Sequence, residues 1–143
     1  MSLVAELVLA VLSVPAHRSD PAYRSGRSGD KLAGLAGAPF EDTAAALRLI
    51  LAGVTDRYPR IRFIVPHLGG TIPFLLARVT RKSATEITGG LRSMYYDTVS
   101  GSPDALTSAC HAFGADRLLF GTDHPYCNEQ EFAITSATSA RAS

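Results

Sequence analysis

The sequence predicts a parallel α/β fold on three observations: short continuous apolar runs, segments of helical period between them, and an ionisable residue near the end of each run. The runs cover residues 7–14, 61–66, 93–99 and 117–121. They do not alternate apolar with polar, the pattern of strands buried on both faces of a parallel sheet. The predicted order is strand, loop, helix, strand, helix, strand, helix, strand.

The first run leads into a polar, Gly/Ser/Arg-rich stretch, residues 17–37. An aperiodic loop of about twenty residues is uncommon in a compact domain unless it is functional or disordered. The first helix is expected to start with Asp42 or Thr43 as N-cap, to carry Leu47, Ile50, Leu51 and Val54 at i, i+3, i+4, i+7, and to stop at Pro59. A second helix starts at Thr71, with Pro73 in its first turn and Ile72, Leu75, Leu76 and Val79 on one face. A third has Ser102 as cap, Pro103 as first residue, the stripe Leu106, Ala109, Cys110, Phe113, and Gly114 as the left-handed stop. Residues 128–143 are small and polar with weak periodicity, and are expected to pack poorly beyond a domain at 1–127.

Composition narrows the function classes. With 14 Lys+Arg against 13 Asp+Glu in 143 residues, the net charge is +1, which offers no electrostatic footprint for nucleic acid or an anionic membrane. At 46% hydrophobic and 19% charged the chain can build one core. No apolar run approaches the roughly 20 residues of a membrane span. No basic-then-apolar leader is read at residues 1–14, and Cys110 and Cys127 form neither a disulfide framework nor a C-x-x-C knuckle. The expected address is the cytoplasm. There is no G-x-S-x-G elbow, P-loop or strand-linked G-x-G-x-x-G, which argues against nucleophilic-serine and nucleotide chemistry.

In parallel α/β folds the strand-to-helix loops converge at the carboxyl ends of the strands, and function gathers there. The first strand reaches His17, the second His67, the third carries Asp97, and the fourth runs into Asp123 and His124. His67 sits in Pro66-His67-Leu68-Gly69-Gly70, where two glycines permit a tight exit from the strand. The competing reading is a histidine that merely bonds its loop. Asp123, in Gly121-Thr122-Asp123-His124-Pro125, is costly to desolvate after a buried strand unless it pairs or binds a metal. Its competing reading is an Asx-turn before Pro125. His17 suits a metal ligand or a solvated loop residue. Asp97 is a hydrogen-bonded structural acid or supports the site from behind, and His124 caps its loop or supports the site. His111 is expected at the surface, and Cys110 in the core rather than as a nucleophile.

Four blocks, taken together, carry a resemblance: Gly37-Ala38-Pro39-Phe40-Glu41-Asp42-Thr43; Gly53-Val54 with Arg57-Tyr58-Pro59; Pro66-His67-Leu68-Gly69-Gly70 with Pro73; and Phe120-Gly121-Thr122-Asp123-His124-Pro125-Tyr126. In order and spacing the chain resembles the amidohydrolase-related family, the group of aminocarboxymuconate-semialdehyde and γ-resorcylate decarboxylases. The resemblance implies a (β/α)8 barrel of the TIM type with one divalent metal, often zinc, at its carboxyl-terminal mouth. It implies His67 as the acid/base histidine, Asp123 as both metal ligand and catalytic group, and His17 as a further metal ligand, although Pro15 precedes His17 where the family usually has Pro after the histidine. The implied reaction is decarboxylation, or a related hydrolysis, of a small aromatic or unsaturated carboxylate. The family's first-strand H-x-H or E-x-H pair has no counterpart in this sequence, and a full barrel needs about 250 residues. The chain therefore matches strands five to eight, a carboxyl-terminal half whose open edges predict a homo-oligomer or an aggregation-prone half barrel. The alternative function is a non-catalytic fragment or remnant that lacks the first-strand metal ligands.

Overall fold

The computed structural model describes residues 8–11, 33–81, 84–99 and 102–123, with side chains described from residue 35 onward except at residue 84. In chain order its elements are β1 (Val8–Val11), α1 (Ala38–Leu51), α2 (Val54–Arg57), β2 (Ile61–Val65), α3 (Ile72–Val79), α4 (Ala84–Ser93), β3 (Tyr95–Asp97), α5 (Pro103–Phe113) and β4 (Leu118–Leu119). The strands form one parallel sheet in the order β1-β2-β3-β4. Parallel neighbours in sequence order, joined through helices, make this an α/β chain, as the apolar runs predict.

The sheet has two unequal faces. Phe63, Val65 and Tyr96 point to the helical side, where they are buried with Ile50, Ile72, Leu91, Met94, Leu106 and Phe113. Successive strand residues alternate faces, so Ile64, Tyr95, Asp97 and Leu119 share the other side, paired in register as Ile64 with Tyr95 and Asp97 with Leu119. These residues are only half-buried or exposed, and Leu119 keeps 37% of its surface. Burial on both faces, which continuous apolar runs predict, is thus met on one face alone among the described residues. Tyr96 stacks face to face on Phe113, with ring centroids 3.6 Å apart, and its hydroxyl donates to Leu91 O at 2.8 Å. Removal from water pushes its phenol above the usual range.

Two helix starts follow the sequence expectation. Thr71 precedes α3, with Pro73 in the first turn, and Ser102 caps α5 by accepting a hydrogen bond from Ala105 N at 3.1 Å. Helix α1 departs from it. It starts at Ala38, after a wide π-type turn over Ala33–Gly37, so neither Asp42 nor Thr43 is its N-cap. Both lie inside the helix and are buried, in line with Ala46 and Ile50, whereas Leu51 is 61% exposed. The helix breaks at Gly53, and Val54 begins the separate short helix α2. On α5 the fully buried stripe takes Ala112 in place of Cys110, which packs at its margin. His111 is exposed, as expected.

Helix α4 has no counterpart among the expected helices. Its apolar signal is Ile87 and Leu91, one turn apart, and packing against α1 supplies the rest. Ser93 ends this helix instead of starting β3, its hydroxyl donating to Gly90 O. The strands are also shorter than the apolar runs, because Arg117 belongs to a 3-10 turn and Pro66 leaves the sheet. Most of the expected long loop and the whole of residues 128–143 lie outside the described residues. Among the described residues no helix is long and apolar enough to cross a membrane.

Candidate functional site

The site is built where β2 ends. From His67 to Gly70 four consecutive residues have positive φ: 53°, 52°, 75° and 62°. Two of the four, His67 and Leu68, are not glycine, and a left-handed conformation costs a residue with a Cβ about 1–2 kcal/mol. Surrounding contacts hold this strained turn. Within it, Gly69 N donates to Pro66 O at 3.0 Å and Gly70 N to His67 O at 2.8 Å. From β3, Asp97 Oδ1 accepts the His67 backbone N–H at 2.8 Å.

Helix α1 secures the other side with consecutive residues. Asp42 Oδ2 lies 2.7 Å from His67 Nδ1, with the aspartate side chain 3% and the histidine side chain 20% exposed. Thr43 Oγ1 donates to Pro39 O at 2.8 Å and accepts the Thr71 backbone N–H at 2.8 Å, with Thr71 Oγ1 at 3.1 Å. One helix therefore grips the histidine ring at the start of the turn and the backbone at its end. The approach is close. A Cβ on Gly70 would lie 2.1 Å from Pro39 O and 2.5 Å from Thr43 Oγ1, and one on Gly69 would press against Phe113 and Tyr96 at 3.0 Å. Both glycines of Pro66-His67-Leu68-Gly69-Gly70 are thus required by space as well as by backbone conformation.

The β4 end supplies the second acidic group. Gly121 lies against Asp97, where its own Cβ would meet Asp97 Cβ at 2.9 Å, and the Thr98 hydroxyl joins Gly121 N and O at 3.2 and 3.3 Å. Asp123 follows with φ 58°, and it is exposed. Asp123 is thus not desolvated, contrary to the expectation for a carboxylate after a buried strand: it remains in contact with solvent. Its charge acts on the same rim. His67 is held above its usual 6.5 chiefly by the hydrogen bond to Asp42, against an opposing effect of burial, with the charges of Asp42, Asp97 and Asp123 adding to the rise. Asp97 is raised from 3.8 by burial, a shift opposed by the backbone N–H groups of Val99 and His67 and by the His67 charge, and reinforced by Asp123.

Of the expected site residues, His67, Asp97 and Asp123 come together at the carboxyl ends of β2, β3 and β4. His17 and His124 lie outside the described residues. Among the described residues, no group of three His, Cys, Asp or Glu side chains is placed to hold a metal ion. Asp42 and Thr43 were not expected at the site. Their signal in the sequence is an adjacent polar pair on the stripe that Ala46 and Ile50 bury. Chemically, the arrangement offers an imidazole of raised basicity with one ring nitrogen committed to a carboxylate, beside an exposed carboxylate.

In a parallel α/β sheet the carboxyl rim, where these ionisable groups lie, is the place where ligands bind. The family is more specific: a family model described as amidohydrolase matches residues 4–134, and the chain belongs to that family. It is 32% identical over 129 residues to a gamma-resorcylate decarboxylase of Polaromonas sp. strain JS666, a match covering 78% of this chain and 40% of the relative. It is 32% identical over 98 residues to a 6-methylsalicylic acid decarboxylase of Penicillium expansum, covering 61% of this chain and 30% of that one. Among solved structures, it resembles the apo form of the IDCase of Metarhizium anisopliae with TM-score 0.68 and 30% identity, covering 91% of this chain and 40% of the other. A dihydroxybenzoic acid decarboxylase from Polaromonas sp. JS666, solved with bound manganese and 2-nitroresorcinol, shares the fold at TM-score 0.71 and 24% identity, over 92% and 46% of the two chains. The chain thus spans 40% or less of the length of these two curated relatives.

Proposed function

We propose that this chain forms the carboxyl-terminal half of a (β/α)8 decarboxylase site that removes CO2 from a small aromatic carboxylate. The observation that carries the reading is the strained His67 turn, fixed by Asp42 and Asp97 from two different elements and facing the Asp123 rim. Backbone strain of this kind persists where the surroundings over-determine it, and it clusters at functional sites. Relatives named as decarboxylases of gamma-resorcylate and 6-methylsalicylic acid support the substrate class. The exposed face of Ile64, Tyr95, Asp97 and Leu119 is the side a complete barrel would enclose.

Aromatic decarboxylation needs a proton delivered to the ring carbon that bears the carboxylate. The carbon–carbon bond then breaks, its electron pair restores the aromatic ring, and CO2 leaves. His67 and Asp123 are the groups assigned to that proton. A raised pKa keeps a larger share of His67 protonated near neutrality, which suits a donor. Asp97 holds the His67 backbone, and His124 is assigned a supporting place beside Asp123.

A divalent metal belongs to this reading, with His17 and Asp123 as its ligands in this chain. Such a metal polarises a bound carboxylate or phenolic oxygen. The described residues alone do not make up its ligand set. Zinc follows from the family resemblance, while manganese is the metal of the solved dihydroxybenzoic acid decarboxylase. A second reading is a non-catalytic remnant, because this sequence carries no H-x-H or E-x-H pair to complete a ligand set.

The test incubates the chain with manganese or zinc and with 2,6-dihydroxybenzoate or 6-methylsalicylate, following CO2 release. Turnover that falls by about 10²–10⁴-fold in His67→Asn supports the catalytic reading. Unchanged turnover in His67→Asn removes His67 from the mechanism, and absence of turnover from the unsubstituted metal-loaded chain supports the remnant.

A further inference from the structure

We infer that Asp42 is a positioning residue that fixes the tautomer and orientation of His67, so that the proton exchanged at the site is always the one on Nε2. The inference rests on the reading of His67 as the acid/base group.

An ionised carboxylate only accepts hydrogen bonds, so the 2.7 Å contact between Asp42 Oδ2 and His67 Nδ1 requires a proton on Nδ1. That proton is present in the neutral and in the charged imidazole alike. Nε2 is then the nitrogen that changes state: a bare lone pair when the ring is neutral, an N–H when it is charged. Solvated neutral imidazole has no such constraint and distributes its proton between the two nitrogens.

Three features make Asp42 a dedicated device rather than a passing contact. Its side chain is 3% exposed, so its charge is costly there without a partner. It sits on a continuous helical segment whose next residue, Thr43, bonds the far end of the same turn, which fixes the carboxylate relative to the ring. The third is Asp97, which holds the His67 backbone from a separate element. The residue thus has its backbone and its ring Nδ1 held independently, from two separate elements. Charge-assisted bonds of this length are among the stronger ones in proteins.

The experiment reads the tautomer directly, by nitrogen–carbon-proton correlation NMR on the full chain labelled with ¹⁵N-histidine, at a pH where His67 is neutral. The unsubstituted chain is expected to show a protonated Nδ1 and an unprotonated Nε2 at His67. In Asp42→Ala the Nδ1–H form is expected to become the minor tautomer, and Asp42→Glu to restore it in part. A purely structural role would lower the melting temperature of Asp42→Ala without moving the tautomer, and that result overturns the inference. An Nε2–H tautomer in the unsubstituted chain overturns it as well, with no variant needed, so a failure of Asp42→Ala to fold leaves the test intact. The outcome is independent of turnover: loss of the Nδ1–H form in Asp42→Ala together with full activity of His67→Asn would sustain the positioning and refute the catalytic reading.

Discussion

His67 concentrates the residue-scale physics. Its pKa is raised above 6.5 in the folded chain, so the folded state holds the proton more tightly than the unfolded one. The stability that the charged imidazole contributes is complete below 6.5 and is lost as pH rises through the raised folded value. The melting temperature is therefore expected to fall as pH climbs across that window, and His67→Asn to flatten the fall, as scanning calorimetry at several pH values will read. Asp97 acts in the same direction at lower pH: its raised pKa means the chain gains stability from this group as pH drops through that value towards 3.8. Gly70 is the other residue whose chemistry is fixed by its place. Gly70→Ala puts a methyl 2.1 Å from Pro39 O at φ 62°, and is expected to cost at least about 2 kcal/mol in urea denaturation.

At the scale of elements, the hold of α1 on Thr71, at the end of the turn before α3, rests on one hydroxyl, that of Thr43. Thr43→Val keeps the shape of the side chain and leaves the Thr71 N–H without its acceptor, a loss of about 1–3 kcal/mol. Because the same turn carries His67, this variant is also expected to broaden or shift the His67 imidazole signals, which a change confined to helix stability would leave in place. The Tyr96–Phe113 stack joins β3 to α5 behind the turn, with both rings against the space where a Gly69 side chain would lie. Phe113→Ala opens that layer and is expected to destabilise the chain by about 3–5 kcal/mol, measured by denaturant midpoint at unchanged slope.

At the scale of the whole molecule, the described residues form a sheet covered by helices on one side only. Its edges among them are β1 and β4, and at the end of β4 and just past it Leu119 and Phe120 are 37% and 59% exposed. Open parallel edges with apolar side chains are templates for pairing with another chain. The isolated chain is expected to sediment as a dimer or larger species, and a monodisperse, cooperatively melting monomer would refute this. Metal uptake belongs to the same scale, because it depends on residues from several strands. One equivalent of bound zinc or manganese by elemental analysis, absent in Asp123→Ala, is expected if the proposed ligands operate in this chain.

What could be read from sequence follows the range of the forces involved. The apolar runs mark the strands, and the helical segments between them give the parallel arrangement, because a crossover helix returns the chain to the same end of the sheet. Ser102-Pro103 and Thr71 with Pro73 give two helix starts, because capping and proline geometry act within one turn. His67, Asp97 and Asp123 follow from position at the strand ends, since parallel strands deliver their carboxyl ends to one rim. Helix α4 escaped such a reading because Thr85, Thr88, Gly89 and Gly90 weaken its local preference, and its stability comes from Ile87 and Leu91 packing on α1. Asp42 escaped for a different reason: as a polar residue near a helix start it has the local signature of a cap, and its partner is 25 residues away. Sequence alone determined the parallel α/β architecture and placed His67, Asp97 and Asp123 at the strand ends, because strand order and strand polarity suffice for both. Only the tertiary structure decided that Asp42 holds the His67 ring and that the turn runs left-handed for four residues, because strain and a buried charge are stable only when distant elements close around them.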